Sequence, residues 1–166
     1  MSKRLLSPDA YLGSVTDVDP EALRADGVDA LLVDLDNTLV PRDSGIVPDE
    51  IRAWAGRAHA AGLSVCVVSN NWHGRVHSIA SDLGFEMVDK ALKPLPFAFR
   101  RALRKLGASV GASAVVGDQL FTDVLGGNLL GMRTILVLPL SASDLPHTLL
   151  LRKIEARLLA GRTPSP

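Results

Sequence analysis

The sequence predicts a three-layer α/β fold in which a parallel sheet of five strands is covered by helices on both faces. Short apolar runs of strand length alternate with longer segments of helical periodicity from about residue 30 to residue 160. The connections between the apolar runs are long enough for the crossovers that parallel neighbours require. The chain has 166 residues, of which 47% are hydrophobic. It is therefore long enough to bury a sizeable core.

The chain divides into a lead-in, a core and a tail. Residues 1–29 are rich in turn-forming residues and end with a short helix that begins at Pro20, so they predict an irregular lead-in. The core covers 30–138, and a C-terminal helix with its tail covers 139–166. No linker or internal repeat separates these parts, which predicts a single domain over the whole chain.

The strands are predicted from apolar runs that end in turn or polar residues. They lie at 30–34, 64–68, 85–88, 114–117 and 134–138. The helix after Pro48 presents an apolar face of Ile51, Trp54, Ala55 and Ala58. A later helix contains Gly126 and Gly127, each of which costs roughly 1 kcal/mol against alanine in a helix interior. The pair predicts either a close packing contact or a break in that helix.

The balance of charges limits the classes of partner. Lysine plus arginine equals aspartate plus glutamate, 18 each, so no overall field favours nucleic acid and we expect no nucleic-acid partner. The start of the chain lacks the apolar stretch of a secretory signal, and no apolar run approaches membrane-spanning length. The single Cys66 lies in a strand-like run and predicts a buried thiol. These observations predict a cytoplasmic protein.

Four polar motifs follow strand-like runs. They are Asp34-x-Asp36-x-Thr38, Ser69-Asn70, Lys93-Pro94 and Gly117-Asp118-x-x-x-x-Asp123. Two carboxylates at the end of a buried strand repel each other, so they need a cation, a shared proton or a reaction that uses both. Because the carboxyl ends of parallel strands meet at one edge of a sheet, where open α/β sheets bind ligands, we expect the four motifs to form one site.

In this order and spacing, the motifs resemble those of the haloacid dehalogenase-like (HAD) superfamily, and the resemblance covers about residues 30–138. The runs Asp-Leu-Asp-Asn-Thr-Leu and Gly-Asp-Gln-Leu-Phe-Thr-Asp, together with Leu-Leu-Ser-Pro-Asp-Ala-Tyr in the lead-in, resemble subfamily IIIA. Within it they are similar to the small YqeG or phosphatidylglycerophosphate phosphatase type. The resemblance implies a Rossmann-like fold and a phosphomonoester phosphatase.

The resemblance also implies roles for individual residues. Asp34 would be the nucleophile that forms an aspartyl-phosphate, and Asp36 would be the general acid and base. Ser69 and Asn70 would bind the phosphoryl oxygens, although Asn70 is also a typical turn residue. Lys93 would neutralise the crowded anions and contact the phosphate.

A divalent cation completes this expectation. Mg²⁺ prefers carboxylate, carbonyl and water oxygens, which Asp34, the backbone oxygen of Asp36, and Asp118 can supply. Asp123 would ligate the metal directly or through water, or it is an acid favoured by the dipole at the start of a helix. Thr38 is expected mainly to satisfy backbone groups of the turn.

The intervals between the motifs leave no room for a substantial cap domain. The predicted site is therefore open, which suits a large substrate such as a lipid phosphate; alternatively, a second subunit of a homo-oligomer completes the pocket. The last helix carries Leu149, Leu150, Leu151, Ile154, Leu158 and Leu159 among basic residues. It either packs on the core or makes a peripheral contact with a membrane or a partner.

Two other functional classes share parts of this pattern. A phosphate-accepting signalling receiver also carries acids and a lysine on a parallel sheet, but its adjacent acidic pair does not match Asp34-x-Asp36. A catalytically idle interaction module would not need all four motifs. The leading prediction is a Mg²⁺-dependent phosphatase, and turnover distinguishes it from both alternatives.

Overall fold

The computed structural model describes residues 5–165 and contains a six-stranded parallel sheet. The strands are β1 (Ala10–Leu12), β2 (Ala30–Val33), β3 (Ser64–Val68), β4 (Glu86–Val88), β5 (Ser113–Gly117) and β6 (Arg133–Val137). Their order across the sheet is β1-β6-β5-β2-β3-β4. The first four residues of the predicted lead-in and the last residue of the predicted tail lie outside the described residues.

Helices lie between successive strands and after the last one. They are α1 (Pro20–Ala25), α2 (Asp49–Ala60), α3 (Gly74–Asp82), α4 (Pro96–Leu106), α5 (Leu125–Leu130) and α6 (Pro146–Leu158), with a π-helical turn at Leu120–Val124 just before α5. The side chain of Asp19 caps α1 by accepting the backbone N–H groups of Glu21 and Ala22, both at 3.0 Å. Gly107 ends α4 in the left-handed conformation that glycine adopts readily.

The sequence predicted five strands, and the additional strand is β1. It pairs in parallel with β6, with Ala10 opposite Ile135 and Leu12 opposite Val137. β1 is only three residues long and half-buried at the edge of the sheet. It lacks the apolar run that marks the central strands. Its formation depends on pairing with a strand more than 120 positions later, which local sequence patterns cannot reveal.

Side chains of β2 alternate between the two faces of the sheet. Leu31 and Val33 lie in a core with Trp54 of α2, whereas Leu32 lies in a second core with Phe99 of α4. Both cores consist of fully or nearly fully buried residues. The predicted three-layer architecture is therefore confirmed.

The glycine pair in α5 provides a close packing contact, and the helix continues through it. A methyl group added to Gly126 would overlap the ring of Phe99, and one added to Gly127 would lie 2.6 Å from Cγ2 of Thr134. In both cases the added Cβ atom would lie closer to its neighbour than two side-chain carbons can approach, so glycine is required at both positions for α5 to pack here. Of the two predicted explanations, close packing is correct.

The C-terminal helix packs on the core mainly through polar side chains, although Leu159, directly after the helix, is half-buried against Leu120, Val124 and Leu136. Thr148 and Glu155 are buried, whereas Leu149, Leu150, Ile154 and Leu158 are between 42% and 63% exposed. The sequence left open whether this helix packs on the core or contacts a membrane or a partner, and these four side chains point away from the core. In the described part of the chain, no helix is long and apolar enough to cross a membrane.

Candidate active site

The predicted site residues meet at the carboxyl edge of the sheet. Asp34 follows β2, Ser69 follows β3 and Asp118 follows β5, while Lys93 lies in the connection after β4. The backbone N–H of Asp34 bonds to the carbonyl oxygen of Val116 at 2.9 Å, so the β2–β5 ladder continues to the first acid. Adjacent parallel strands therefore place these polar side chains side by side.

Lys93 joins two of the acids. Its Nζ donates to Oδ1 of Asp34 and to Oδ1 of Asp123, both at 2.6 Å. The side chain of Lys93 is only 3% exposed, and those of its partners are 10% and 2% exposed. Charge-assisted bonds of this length in a buried environment fix the orientations of both carboxylates.

Asp123 reaches Lys93 because a glycine leaves space for it. A Cβ atom at Gly117 would overlap the carboxyl group of Asp123. The π-helical turn begins at Leu120, and the backbone N–H of Gln119 donates to Oδ2 of Asp123 at 3.3 Å. The sequence left open whether Asp123 belongs to the site or only favours a helix start, and the structure puts its carboxyl group among the site acids.

Asp118 is held by a residue that the sequence did not single out. Arg152 of α6 donates through its guanidinium group to Oδ2 and to the backbone carbonyl of Asp118, whose side chain is fully buried. Thr38 donates to Oδ1 of the same carboxylate at 3.3 Å. The structural role expected for Thr38 therefore includes a contact with a site acid.

Arg152 belongs to a larger ionic network on α6. It also contacts Asp144 at 3.0 Å and Glu155 at 3.6 Å. Oε1 of Glu155 accepts the backbone N–H groups of Leu120 and Phe121, at 2.8 and 3.3 Å. The helix thus docks onto the π-helical turn and the end of β5 through polar groups.

Asp36 is the most exposed of the site acids, with 27% of its side chain accessible. Nη2 of Arg42 lies 3.8 Å from its Oδ2, and Nε of Arg42 lies 3.4 Å from Oδ1 of Asp144. Asn37 follows Asp36 with a φ of 62°. Its side chain donates to the carbonyl oxygen of Ser143 and accepts from the hydroxyl group of Ser141, which connects this loop to the segment before α6. Arg42 and Asp144 are further site residues that the sequence analysis missed, because no local motif marks them.

Ser69 and Asn70 occupy the end of β3 with different environments. Ser69 is buried, and its Oγ accepts the backbone N–H of Asn71 at 3.0 Å. The side chain of exposed Asn70 accepts the backbone N–H of Lys93 at 2.7 Å and donates to the carbonyl oxygen of Lys93 at 3.4 Å. Asn70 therefore positions the backbone of Lys93.

The acids repel one another in a medium that solvates them poorly. Burial, reinforced by the charge of Asp34, raises the pKa of Asp118 well above its ordinary value despite the nearby Arg152. Burial raises the pKa of Asp123 to about 6, although Lys93 acts in the opposite direction. Burial and Asp34 also raise the pKa of Asp36. For Lys93, burial opposes the charged form, but Asp123 and Asp34 outweigh it and raise the pKa.

This donor set fits a hard divalent cation. Asp34, Asp118 and Asp123 each offer a carboxylate oxygen, and these oxygens lie within 4.8 Å of one another. In the part of the chain that the structure describes, Lys93 pairs with Asp34 and Asp123, and Arg152 pairs with Asp118, so the three carboxyl groups outnumber the cations paired with them. Buried carboxylates in excess of their cations are suited to a divalent metal with oxygen ligands.

A cavity of about 290 Å³ opens above the acids. Its lining includes Asp34, Asp36 and Lys93 from the strand ends and Thr148 from α6. Between β2 and α2 the described chain forms only the loop 34–48, so no cap domain is inserted at this point. The arrangement can therefore present a carboxylate nucleophile, a half-exposed acid and a buried cation to one ligand.

Comparison with known proteins identifies similar sequences. Residues 91–141 match a family model described as HAD-hydrolase-like. The chain is 38% identical over 161 residues to the "Probable phosphatase YqeG" of Bacillus subtilis, an alignment that covers 97% of this chain and 94% of that protein. It is 24% identical over 167 residues to "Phosphatidylglycerophosphate phosphatase 1, chloroplastic/mitochondrial" of Arabidopsis thaliana, covering 95% of this chain and 48% of that one.

Solved structures share the fold. The cobalt-bound deoxy-D-mannose-octulosonate 8-phosphate phosphatase of Haemophilus influenzae aligns with a TM-score of 0.56 and 12% identity. The alignment covers 81% of this chain and 89% of that one. An uncharacterized protein from Listeria monocytogenes also aligns with a TM-score of 0.56, at 15% identity, covering 76% of this chain and 99% of that one.

Proposed function

We propose that this chain, which belongs to the haloacid dehalogenase-like hydrolases and is a phosphatase of that family, hydrolyses phosphomonoesters through an aspartyl-phosphate on Asp34 with the assistance of Mg²⁺. The observation that carries the proposal is the pairing of two acids in unlike environments. Asp34 is buried and bonded to Lys93, whereas Asp36, two residues later, is half-exposed beside the same cavity. Such a difference suits a nucleophile and a proton donor.

In the first step, a carboxylate oxygen of Asp34 forms a bond to phosphorus. The bond between phosphorus and the leaving oxygen breaks, and that oxygen keeps the electron pair and takes a proton from Asp36. The raised pKa of Asp36 supports this role, because it increases the protonated fraction available to the leaving group. Lys93 holds Asp34 in position and offsets the negative charge that collects around it.

In the second step, Asp36 removes a proton from a water molecule that attacks the phosphorus of the aspartyl-phosphate. The bond from phosphorus to Asp34 breaks, and inorganic phosphate leaves with the carboxylate restored. Asp34, Asp118 and the backbone oxygen of Asp36 would hold Mg²⁺, with Asp123 as a direct or water-mediated ligand. When bound, the ion supplies electrostatic stabilisation of the phosphoryl oxygens.

The test is hydrolysis of an aryl phosphate with Mg²⁺ or with a chelator. Asp34→Asn should lose essentially all turnover, and Asp36→Asn should lose roughly 10²- to 10⁴-fold in kcat. Asp49→Asn, an exposed carboxylate on α2, is the matched control. Intact mass spectrometry after acid quenching should find phosphate on the wild type and none on Asp34→Asn. Metal-independent turnover, or full activity of Asp34→Asn, would refute the mechanism.

We further propose that the substrate is a lipid phosphate presented at an anionic bilayer surface. Two observations support this proposal: α6 forms part of the lining of the site cavity, and Leu149, Leu150, Ile154 and Leu158 of the same helix are exposed. Lys153 and Arg157 are exposed on the same helix, and its one acid, Glu155, is buried in the ionic network. An apolar helix face flanked by basic residues fits an anionic membrane interface.

Vesicle cosedimentation tests the membrane contact. Leu150→Glu should reduce binding to vesicles containing phosphatidylglycerol and reduce hydrolysis of phosphatidylglycerophosphate in them, while hydrolysis of the soluble aryl phosphate is kept. Leu129→Glu is the control, because Leu129 is also exposed but lies on α5. Equal vesicle binding by Leu150→Glu and the wild type would refute the contact.

A further inference from the structure

A second cavity lies on the other side of Asp36. It measures about 380 Å³, and its polar lining comprises Asp36, Arg42, Asn71, His73 and Arg75. Asp36 and Arg42 also line the cavity above Asp34, so these two residues form the boundary between the two spaces. Asp34 and Lys93 do not line the second cavity. A substrate that is bound above Asp34 and extends past Asp36 would therefore place its distal part in this second cavity.

The charge of the second cavity is positive on balance. Arg42 and Arg75 contribute two cations, and Asp36 is the one acid of the lining. Arg42 is partly neutralised, because it lies near Asp36 and Asp144. The guanidinium group of Arg75 donates to the carbonyl oxygen of Gly45, and no carboxylate pairs with it among the described residues. Arg75 thus keeps an unmatched charge at the rim.

The remaining lining is apolar. Leu35, Val40, Val76 and Ile79 contribute buried side chains, and Pro41 and Gly45 complete the wall. Cationic groups at the opening and aliphatic groups behind them suit a ligand with an anionic group attached to a carbon skeleton.

We propose that this cavity is the leaving-group subsite, and that it binds a second anionic group, a phosphodiester or a carboxylate, carried by the leaving group of the phosphomonoester substrate. This inference rests on the proposed function. Asp36 is the reason for assigning this cavity to the leaving group. The group that protonates the leaving oxygen must lie next to that oxygen, and Asp36 lines the cavity.

A matched pair of substrates tests the charge preference. Glycerol 3-phosphate and 3-phosphoglycerate differ only at the far carbon, which belongs to a hydroxymethyl group in the first and to a carboxylate in the second. The wild type should have a kcat/KM roughly five- to fifty-fold higher for 3-phosphoglycerate, mainly through KM. Arg75→Gln should bring this ratio towards one, and Arg75→Glu should lower it further. The control Arg100→Gln removes an exposed arginine of α4, on the opposite face of the sheet, and should keep the wild-type ratio.

A lipid and its headgroup distinguish the sources of the second anion. Phosphatidylglycerophosphate in detergent micelles and its deacylated headgroup both carry a phosphodiester on the leaving group. A similar loss of kcat/KM for both in Arg75→Gln supports the subsite with a headgroup diester as its ligand. A loss confined to 3-phosphoglycerate supports the subsite with a soluble carboxylate as its ligand.

Separate results would overturn the two proposals. If the wild type hydrolyses aryl phosphate and glycerol 3-phosphate, but none of the three substrates that carry a second anionic group depends on Arg75, the leaving-group subsite is refuted and the phosphatase mechanism stands. If the wild type hydrolyses no phosphomonoester in the presence of Mg²⁺, the proposed function itself is refuted.

Discussion

The buried acids predict an unusual pH dependence of stability in the metal-free protein. The folded-state pKa of Asp123 is raised to about 6 from an ordinary value of 3.8. A carboxyl group that binds its proton more tightly when folded stabilises the folded state below its ordinary pKa. That contribution is lost as the pH rises through about 6. The loss amounts to roughly 3 kcal/mol for Asp123 alone, at about 1.4 kcal/mol for each pH unit between the two pKa values.

The raised pKa values of Asp118 and Glu155 act in the same direction. The free energy of unfolding in a chelator should therefore fall between about pH 4 and pH 7, where many proteins are near their most stable. Asp123→Asn removes one ionising group and should make this fall shallower. The exposed control Asp49→Asn should follow the wild type.

Mg²⁺ should reverse the trend, because the metal needs ionised carboxylates and competes with protons for them. At pH 7.5 and a Mg²⁺ concentration of about 100 times the dissociation constant, binding should add roughly 2.7 kcal/mol. At pH 5 the same concentration should add much less. Urea denaturation at both pH values, with chelator or Mg²⁺, measures all four free energies. Stability in chelator that is flat or rising from pH 5 to pH 7.5, or an equal Mg²⁺ effect at both, would refute this reasoning.

Three further substitutions test the geometry of the site. Lys93→Met leaves the acids without their buried cation, so aryl phosphate turnover should fall by roughly 10²-fold or more while circular dichroism stays native-like. Arg152→Gln removes the cation beside fully buried Asp118 and should lower the free energy of unfolding in chelator by about 3 kcal/mol. An unchanged urea midpoint would contradict the importance of that pair. Gly117→Ala forces Asp123 to move, so calorimetry should find weaker Mg²⁺ binding, whereas equal affinity would exclude the steric argument.

The alternation of strands and helices predicted the arrangement of the site acids because it depends on local patterns. Apolar runs fix the central strands, and parallel pairing then brings their carboxyl ends to one edge. The same reasoning could not find β1, which is a strand only because β6 lies beside it. Nor could it find Arg42 and Arg152, whose positions in the site follow from how a loop and a distant helix fold over the sheet.

The C-terminal helix was the least predictable element, since its leucines left open a contact with the core, a membrane or a partner, and polar residues make most of its attachment to the core. A hydrophobic pattern predicts which face of a helix is shielded from water, but it does not identify whether the core, a bilayer or another chain buries that face. The position of α6 depends on Glu155, which accepts the backbone N–H groups of Leu120 and Phe121. This contact can be seen only in the tertiary structure.

The same contacts separate two roles within α6: Arg152 orients a site acid, and Glu155 attaches the helix. Glu155→Gln keeps a carbonyl oxygen that can accept both N–H groups, so it should preserve the attachment. Glu155→Ala leaves two donors without their acceptor and should cost about 1–3 kcal/mol. Hydrogen exchange of the Leu120 amide should accelerate in the alanine variant and remain close to wild type in the glutamine variant. Acceleration in both would mean that the charge of Glu155 holds the helix, and no acceleration in either would mean that its apolar contacts do.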